Sequence, residues 1–534
     1  MLQKRKVLLP ALTTVVIALA IAVSYKALHQ TEALRSPTTA PLAQLPSLPP
    51  TAKDSQTLDS LLEEDIESKL LPLALEDTIQ DKEGLISFRD KESYLDFLSS
   101  LSSKGLTLIA QSDRLFAVRV GFSDLNQLEG IKGADISPNY AISVPAPPAA
   151  SAQAGAVGFG NSALYSIGIT GDNSAWGTGV TVAVIDSGVN DQIALKDGVT
   201  HLALTELAVG TEQLSHGTAV ASIISGDHSS TPGVAPASDI LSIRVTNSNG
   251  ASDTFTLAQG IIAAVDGGAQ IINISMGSPS SSSVLDNAVA YAQDQGAVIV
   301  ASAGNEGIDT LSYPAAYSGV ISVGAIEANG EHLDFSNQGD TLTITAPGYE
   351  VAAAWGEDLL TGFSGTSASA PFVSGAIAAI MSENPNYTAQ QASDQLLQYV
   401  NEGGIPGNDP QYGGGTLDLG RALENGSPGI YDIAVTGQIL QTDDNGNESL
   451  LVVVQNQGTE TLFNSPVAIE TPSGVTQVSI NSLTAGETFT QTIPLNSSQI
   501  EDAFTTSASA RLSTTEDIDP RNNTHQTSHT NIAK

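Results

Sequence analysis

Between about Val180 and Ile344, continuous apolar, β-branched runs alternate with stretches of helical periodicity. The runs Val180–Ile185, Ile240–Val245, Gln270–Ser275, Ala297–Ala303 and Gly319–Val323 predict strands. His216–Ser225, Phe255–Val265 and Val284–Gln295 repeat their apolar residues at helical spacing. Strands without a polar alternate face, separated by helices, predict a parallel sheet covered on both sides. Ligand sites in such sheets lie beyond the carboxyl ends of the strands.

The pattern changes on either side of this region. Leu85–Phe88, Leu106–Ala110, Leu115–Val120 and Ala134–Ser143 read as strands, with helices at Tyr94–Leu101 and Asp124–Leu128. This β-α-β-β-α-β order is a split βαβ unit. A loose junction follows, with Pro145, Pro147 and Pro148 and then Ala150–Gly160. From about Tyr431, six short alternating strands separated by Gly, Asn and Pro predict a small all-β sandwich. The polar tail from Asn523 onward is expected to be irregular. At the other end, Lys4-Arg5-Lys6 precedes an apolar run from Val7 to Val23, the order of an export signal or a membrane anchor. A Pro-, Thr- and Ala-rich linker and one short amphipathic helix (Leu58, Leu61, Leu62, Ile66, Leu70) come next.

Charge narrows the function. The 534 residues include 57 acidic and 20 basic side chains, a formal charge of −37. That balance argues against nucleic acid as a partner, because phosphate binding needs basic surface. Cysteine is absent, which excludes disulfides, thiol catalysis and cysteine-ligated zinc.

Four residues carry candidate chemistry. Asp186 follows the apolar run Val182–Ile185, where a buried carboxylate is costly unless paired. His216 opens a small-residue helix, the rigid mounting that a catalytic base needs. Asn305 ends the run Ala297–Gly304 and offers an amide N–H to an oxyanion. Ser367 lies in Gly365-Thr366-Ser367-Ala368-Ser369-Ala370-Pro371, at the start of a buried helix whose dipole favours developing negative charge. Singly, each has a structural reading: a turn after a strand for Asp186 and Asn305, a helix start for His216, an N-cap for Ser367. Together, the order Asp, His, Ser is that of subtilisin.

On these residues the sequence resembles the subtilisin-like serine proteases, the subtilase family. The matching stretches are Val184-Ile185-Asp186-Ser187-Gly188, His216-Gly217-Thr218-Ala219-Val220-Ala221, Ala303-Gly304-Asn305 and Gly365 to Pro371. The resemblance implies a secreted or surface-anchored serine endopeptidase made as a zymogen, acting through an acyl-enzyme. Its catalytic residues would be Asp186, His216, Ser367 and Asn305. Ser275, Met276 and Gly277 with Ser302, Ala303 and Gly304 would flank the main specificity pocket, and Gly250–Asp253 the other edge of the cleft. No charge stands at the predicted pocket walls, Ser275–Gly277 and Ser302–Gly304, so an apolar or aromatic side chain is expected before the cut. The implied fold class is α/β: a subtilisin-like parallel sheet with helices on both faces, a small α+β ferredoxin-like propeptide before it and an all-β sandwich after it. The implied domains are a signal peptide or anchor (1–30), a linker and short helix (31–83), an inhibitory propeptide (84–148), a catalytic domain (155–425) and a β-sandwich (430–525). Partners are protein or peptide substrates, the chain's own propeptide as intramolecular inhibitor, and a membrane if residues 7–23 stay in it. No cofactor is implied. Calcium, which such enzymes often bind, is left unassigned, because the segment after Asp186 lacks the usual acidic ligand and the Gly226–Thr231 loop is short. Ala219, Ser222 and Phe372 depart from the family pattern without touching a catalytic position.

Other hydrolases fit less well. An α/β-hydrolase needs glycine at 369 and a histidine after the serine, but 369 is serine and only His525 and His529 follow. No His-Glu-x-x-His metalloprotease motif occurs. The alternative from another class is a subtilase scaffold that binds surfaces without catalysis. A histidine base must be neutral to accept a proton, so hydrolysis is expected to rise through about pH 6–7. A flat rate profile from about pH 5 to 9 would count against His216 as the base.

Overall fold

The structure is a computed structural model that describes residues 79–530, apart from short stretches at 146–147, 149–155, 193, 196–198, 207–214, 357–358, 425, 443–447 and 496–502. The export or anchor segment (1–30) and the linker and helix expected before residue 79 lie outside the described residues. Among the described residues, no helix is long and apolar enough to cross a membrane.

A seven-stranded parallel sheet carries the central region. Its strands are β5 (Thr181–Asp186), β6 (Val199–Ala203), β9 (Asp239–Arg244), β11 (Ile271–Ile274), β12 (Val298–Ser302), β13 (Ile321–Ile326) and β14 (Ile344–Pro347). They lie side by side in the order β14-β13-β12-β11-β5-β9-β6. Successive residues of β5 serve opposite cores: Val182 and Val184 pack on one face, Ala183 and Ile185 on the other. Each fully buried Val or Ile contributes about 1.5–3 kcal/mol, which is why both faces must be covered. One cover consists of α2 (Ser215–Ser225) and α5 (Thr366–Glu383), the other of α3 (Thr254–Asp266) and α4 (Ser283–Asp294).

The segment before the sheet forms β1 (Ile79–Phe88), α1 (Lys91–Ser100), β2 (Thr107–Ser112), β3 (Ala117–Gly121), one 3-10 turn (Leu125–Leu128) and β4 (Ala134–Ser143). Its order β4-β1-β3-β2 is ferredoxin-like, and its first strand begins five residues before the sequence boundary at 84. The sheet does not stop at β4. The short strand β10 (Ala251–Asp253), from the central region, adds to it antiparallel.

The C-terminal sandwich pairs a three-stranded sheet, β17 (Ile433–Thr442), β18 (Glu448–Asn456) and β21 (Thr488–Pro494), with a four-stranded one. The second holds β19 (Leu462–Thr471), β20 (Gly474–Leu483), β22 (Ala503–Ala510) and β23 (Thr524–Thr530). The tail expected to be irregular is therefore a strand. β23 pairs with β22 from Thr524 to Thr530 through backbone bonds, which demand no apolar side chains.

Carboxylates crowd the junction of sandwich and central region. Asn522 Nδ2 donates to Asp432 Oδ1 at 2.9 Å and to Gln457 Oε1 at 3.0 Å. Asp418 caps α7 (Leu419–Leu423) through the Arg421 N–H and accepts from Asn401 Nδ2, both at 2.8 Å. Burial above all pushes the Asp432 carboxyl up to about 7 from an ordinary 3.8, and Asp418 and Asp517 move upward for the same leading reason. A carboxyl that holds its proton more tightly folded than unfolded makes stability fall as pH rises from about 4 to about 7. Asp432→Asn keeps the acceptor for Asn522 and removes one such titration. Its melting temperature, followed by calorimetry, should decline less across that interval than that of the unsubstituted protein.

Candidate active site

The predicted residues converge where the parallel strands end. Asp186 is the last residue of β5 and is fully buried. Its Oδ1 accepts the Ser187 N–H at 2.6 Å, and His216 Nδ1 lies 2.9 and 3.0 Å from its two oxygens. His216 is the second residue of α2, so its imidazole is fixed by the helix start. Gly217 makes the approach of α2 to the β5 end possible: a Cβ there would stand 2.2 Å from the Gly188 carbonyl oxygen. Phe363, at the end of β16 (Leu359–Phe363), sets its ring edge-on to His216, with centroids 5.2 Å apart at 79°.

Ser367 is the second residue of α5 and is buried. Its Oγ donates to the Ser275 carbonyl at 3.0 Å, and among the described contacts it makes no hydrogen bond to His216. The reverse bond exists too, from Ser275 Oγ to the Ser367 carbonyl at 3.2 Å. Pro371 explains it. Lacking an N–H, proline cannot close the helical bond to the carbonyl four residues back, which leaves Ser367 O free for Ser275. Asn273 Nδ2 donates to Ser275 Oγ at 3.0 Å and Asn273 Oδ1 accepts from Ser374 Oγ at 2.9 Å, so the buried polar atoms form a connected set.

Asn305 is oriented by the same helix start. Its Oδ1 accepts both the Thr366 N–H and the Thr366 hydroxyl at 2.9 Å. Two donors on one atom identify it as the oxygen and leave Nδ2 as the free donor. Gly365 lets this amide come close, since a Cβ at that position would meet Asn305 Nδ2 at 3.0 Å and its φ is +126°.

The two segments expected to flank a pocket meet at Ser312, a residue the sequence reading passed over. A Cβ on Gly277 would lie 2.9 Å from Ser312 Cβ, and one on Gly304 would lie 2.7 Å from Ser312 Oγ. The Ser312 N–H donates to the Ala303 carbonyl at 2.8 Å, and Tyr313 exchanges backbone bonds with Ser278 at 2.8 and 2.9 Å. Ser275, Met276, Ser302 and Ala303 are buried in these walls. A carboxylate stands beside one of the expected walls. The Glu306 carboxylate reaches within 2.7 Å of where a Gly304 Cβ would be, held by Asn337 Nδ2 at 2.7 Å and the Asn305 N–H at 3.1 Å. The signal was the Asn305-Glu306-Gly307 turn, which folds a side chain back on its own loop.

The cleft edge is occupied. Ser143, at the end of β4, pairs with Ala251 on one side and forms an isolated antiparallel bridge with Gly277 on the other. The Val144 N–H continues the line to the Gly250 carbonyl at 3.1 Å. Among the described residues, no group of three or more His, Asp or Glu side chains is arranged to hold a metal.

Comparison with known proteins agrees with this geometry. The profile of the subtilase family matches residues 177–415. A thermostable alkaline protease of Halalkalibacterium halodurans is 35% identical over 251 residues, covering 47% of this chain and 69% of the relative. Subtilisin E of Bacillus subtilis is 33% identical over 271 residues, covering 49% of this chain and 68% of the relative. Two solved structures share the fold at lower identity. Fervidolysin from Fervidobacterium pennivorans, described as a keratinolytic enzyme related to subtilisin, has a TM-score of 0.56 at 19% identity, covering 82% of this chain and 88% of its own. The epidermin leader peptide processing protease of Staphylococcus aureus has a TM-score of 0.54 at 21% identity, covering 66% of this chain and all of its own. With buried Asp186 against His216 and Ser367 at the start of α5, the chain belongs to the subtilase family and is a serine-type endopeptidase.

Proposed function

We propose that this chain is a secreted zymogen that cleaves peptide bonds through Ser367, His216 and Asp186, with Asn305 stabilising the oxyanion. The observation that carries the reading is the contact of His216 Nδ1 with both oxygens of a fully buried Asp186. In that position the carboxylate selects the tautomer with the proton on Nδ1 and leaves Nε2 as base. Rotation about the Ser367 Cα–Cβ bond exchanges the Ser275 carbonyl for His216 Nε2. The alkoxide then attacks the substrate carbonyl, and the proton passes from His216 to the leaving amine. Water repeats the sequence on the acyl-enzyme. The Asn305 Nδ2 and Ser367 N–H groups receive the negative charge that develops on the carbonyl oxygen.

Zymogen control is supported by β4. An extended segment lying between Ala251 and Gly277 fills the place a substrate strand would take, by backbone pairing that tolerates many sequences. Residues 84–148 thereby act as the intramolecular inhibitor, and the proline-rich junction after Val144 as the place of self-cleavage. Export through the N-terminal segment fits a Bacillus subtilis relative named as a minor extracellular protease.

A fluorophosphonate probe should label the processed protein and fail on Ser367→Ala; an unlabelled but correctly processed wild type would favour a surface-binding scaffold without catalysis. Asn305→Ala should lower kcat by about 10²–10³-fold, the loss seen when the subtilisin asparagine donor is removed, with KM nearly unchanged. Glu306→Gln should lower kcat/KM for peptides with Lys before the cut about fivefold relative to those with Phe, measured as a ratio. An unchanged ratio would return the pocket to a purely apolar preference.

A further inference from the structure

Asp253 holds two jobs in this structure, and one of them depends on a residue that leaves. Its Oδ1 caps α3 by accepting the Thr256 N–H at 2.8 Å. Its Oδ2 accepts from Arg119 Nη1 of β3 at 2.9 Å, while Arg119 Nε donates to Glu83 of β1 at 2.7 Å. Asn139 of β4 ties the cluster together, donating to Glu83 Oε2 at 3.1 Å and accepting from Thr254 Oγ1 at 3.1 Å. Arg119, Glu83 and Asn139 all precede the junction at 145–155, whereas Asp253 and Thr254 follow it.

Among the described residues of the body, no basic side chain stands in for Arg119. Residues 156–425 hold 27 acidic side chains but only three basic ones, Lys196, Arg244 and Arg421. Arg244 Nη2 donates to the Thr205 carbonyl, and Arg421 Nη1 to the Val400 carbonyl. With the inhibitor gone, Asp253 Oδ2 loses its cation on the strand edge where a substrate must bind.

Register says what fills the gap. β10 pairs Asp253 with Ala141, Ser252 with Ile142 and Ala251 with Ser143. Residues opposite one another across a strand pair project to the same face, with Cβ atoms about 4.5–5.5 Å apart. The small Ala141 leaves that face clear, and the Arg119 guanidinium reaches across it from β3, two strands away from β4. A substrate strand following the path of β4 puts one side chain at the Ala141 position, two residues before the one that faces Gly277.

We propose that Asp253 is a specificity-determining residue of the mature enzyme, which selects a Lys or Arg in the substrate two residues upstream of the residue paired with Gly277. Arg119 is then an internal stand-in for that substrate cation. This rests on the reading of β4 as the inhibitor strand in the substrate cleft. The selected residue lies outside the pocket bordered by Glu306, so the two carboxylates read different substrate positions.

The test uses enzyme matured from the full chain and a family of long peptides with one fixed cleavage site. Arg is scanned through successive positions on the N-terminal side, each compared with Gln at the same position. The wild type should cleave the Arg peptide about fivefold faster at a single position, with the advantage shrinking in high salt. Asp253→Asn, which retains a good helix cap, should bring that ratio close to one. In the unprocessed chain, Arg119→Gln should shorten the lag before hydrolysis begins, and Arg119→Lys should largely restore it. Equal rates for Arg and Gln at every position, or a preference that survives Asp253→Asn, overturns the proposal. Failure to cleave any peptide, with the wild type no different from Ser367→Ala, overturns the protease-site reading and the proposal with it.

Discussion

Asp186 has no surface exposed to solvent, so an ionised carboxylate there must find its stabilisation inside the protein. An unpaired buried ion costs several kcal/mol, and removing one partner of a buried pair costs about 3–5 kcal/mol. Here the donors are the next residue's N–H and the His216 ring, and both depend on where β5 ends. The Ser187 hydroxyl in turn accepts the Gly217 N–H at 3.1 Å, fastening the start of α2 to the same turn. The charge on one strand end therefore sets the placement of a helix, and the helix holds the His216 ring against that charge. Ser367 is carried on the neighbouring helix of the same cover, whose proline releases a carbonyl to Ser275.

Much of this was legible because inner parallel strands have little freedom. Runs such as Val182–Ile185 and Ala297–Ala301 are apolar at every position, and the polar residue that ends each stands out against them. Edge elements were not legible. β6 (Val199–Ala203) contains Thr200 and His201, is mostly exposed, and pairs with β9 through backbone bonds. β23 escaped for the same reason, since a polar strand on an edge has no pattern to display. At the site, residue types indicated Asp186, His216, Asn305 and Ser367, but not the contacts of the resting arrangement. The Ser367 carbonyl as acceptor for Ser275 Oγ follows from Pro371 only once the helix is known to start at Thr366. Ser312 was missed because a folded loop, and not sequence proximity to a strand end, carries it against Gly277 and Gly304.

The charge of −37 gains meaning from its distribution. The body has almost no cations of its own, and the segment before it supplies two that touch the body, Arg119 to Asp253 and Arg114 to Asp266 at 3.4 Å. The exposed Arg114 pair contributes little. The Arg119 cluster, with side chains a fifth exposed or less, is shielded from salt and fastens the sheet of β1, β3 and β4 to the start of α3.

The joining of β4 to β10 in one continuous sheet has a kinetic consequence. While the chain is intact, the strand is tethered to its own groove, and occupancy is independent of how much protein is present. A single cut in the junction changes the molecularity. The same contacts then belong to a bimolecular complex, whose occupancy falls on dilution because the tether's effective concentration is lost. On the proposed reading of β4 as inhibitor, latency would persist where the protein is concentrated and lapse where it is dilute.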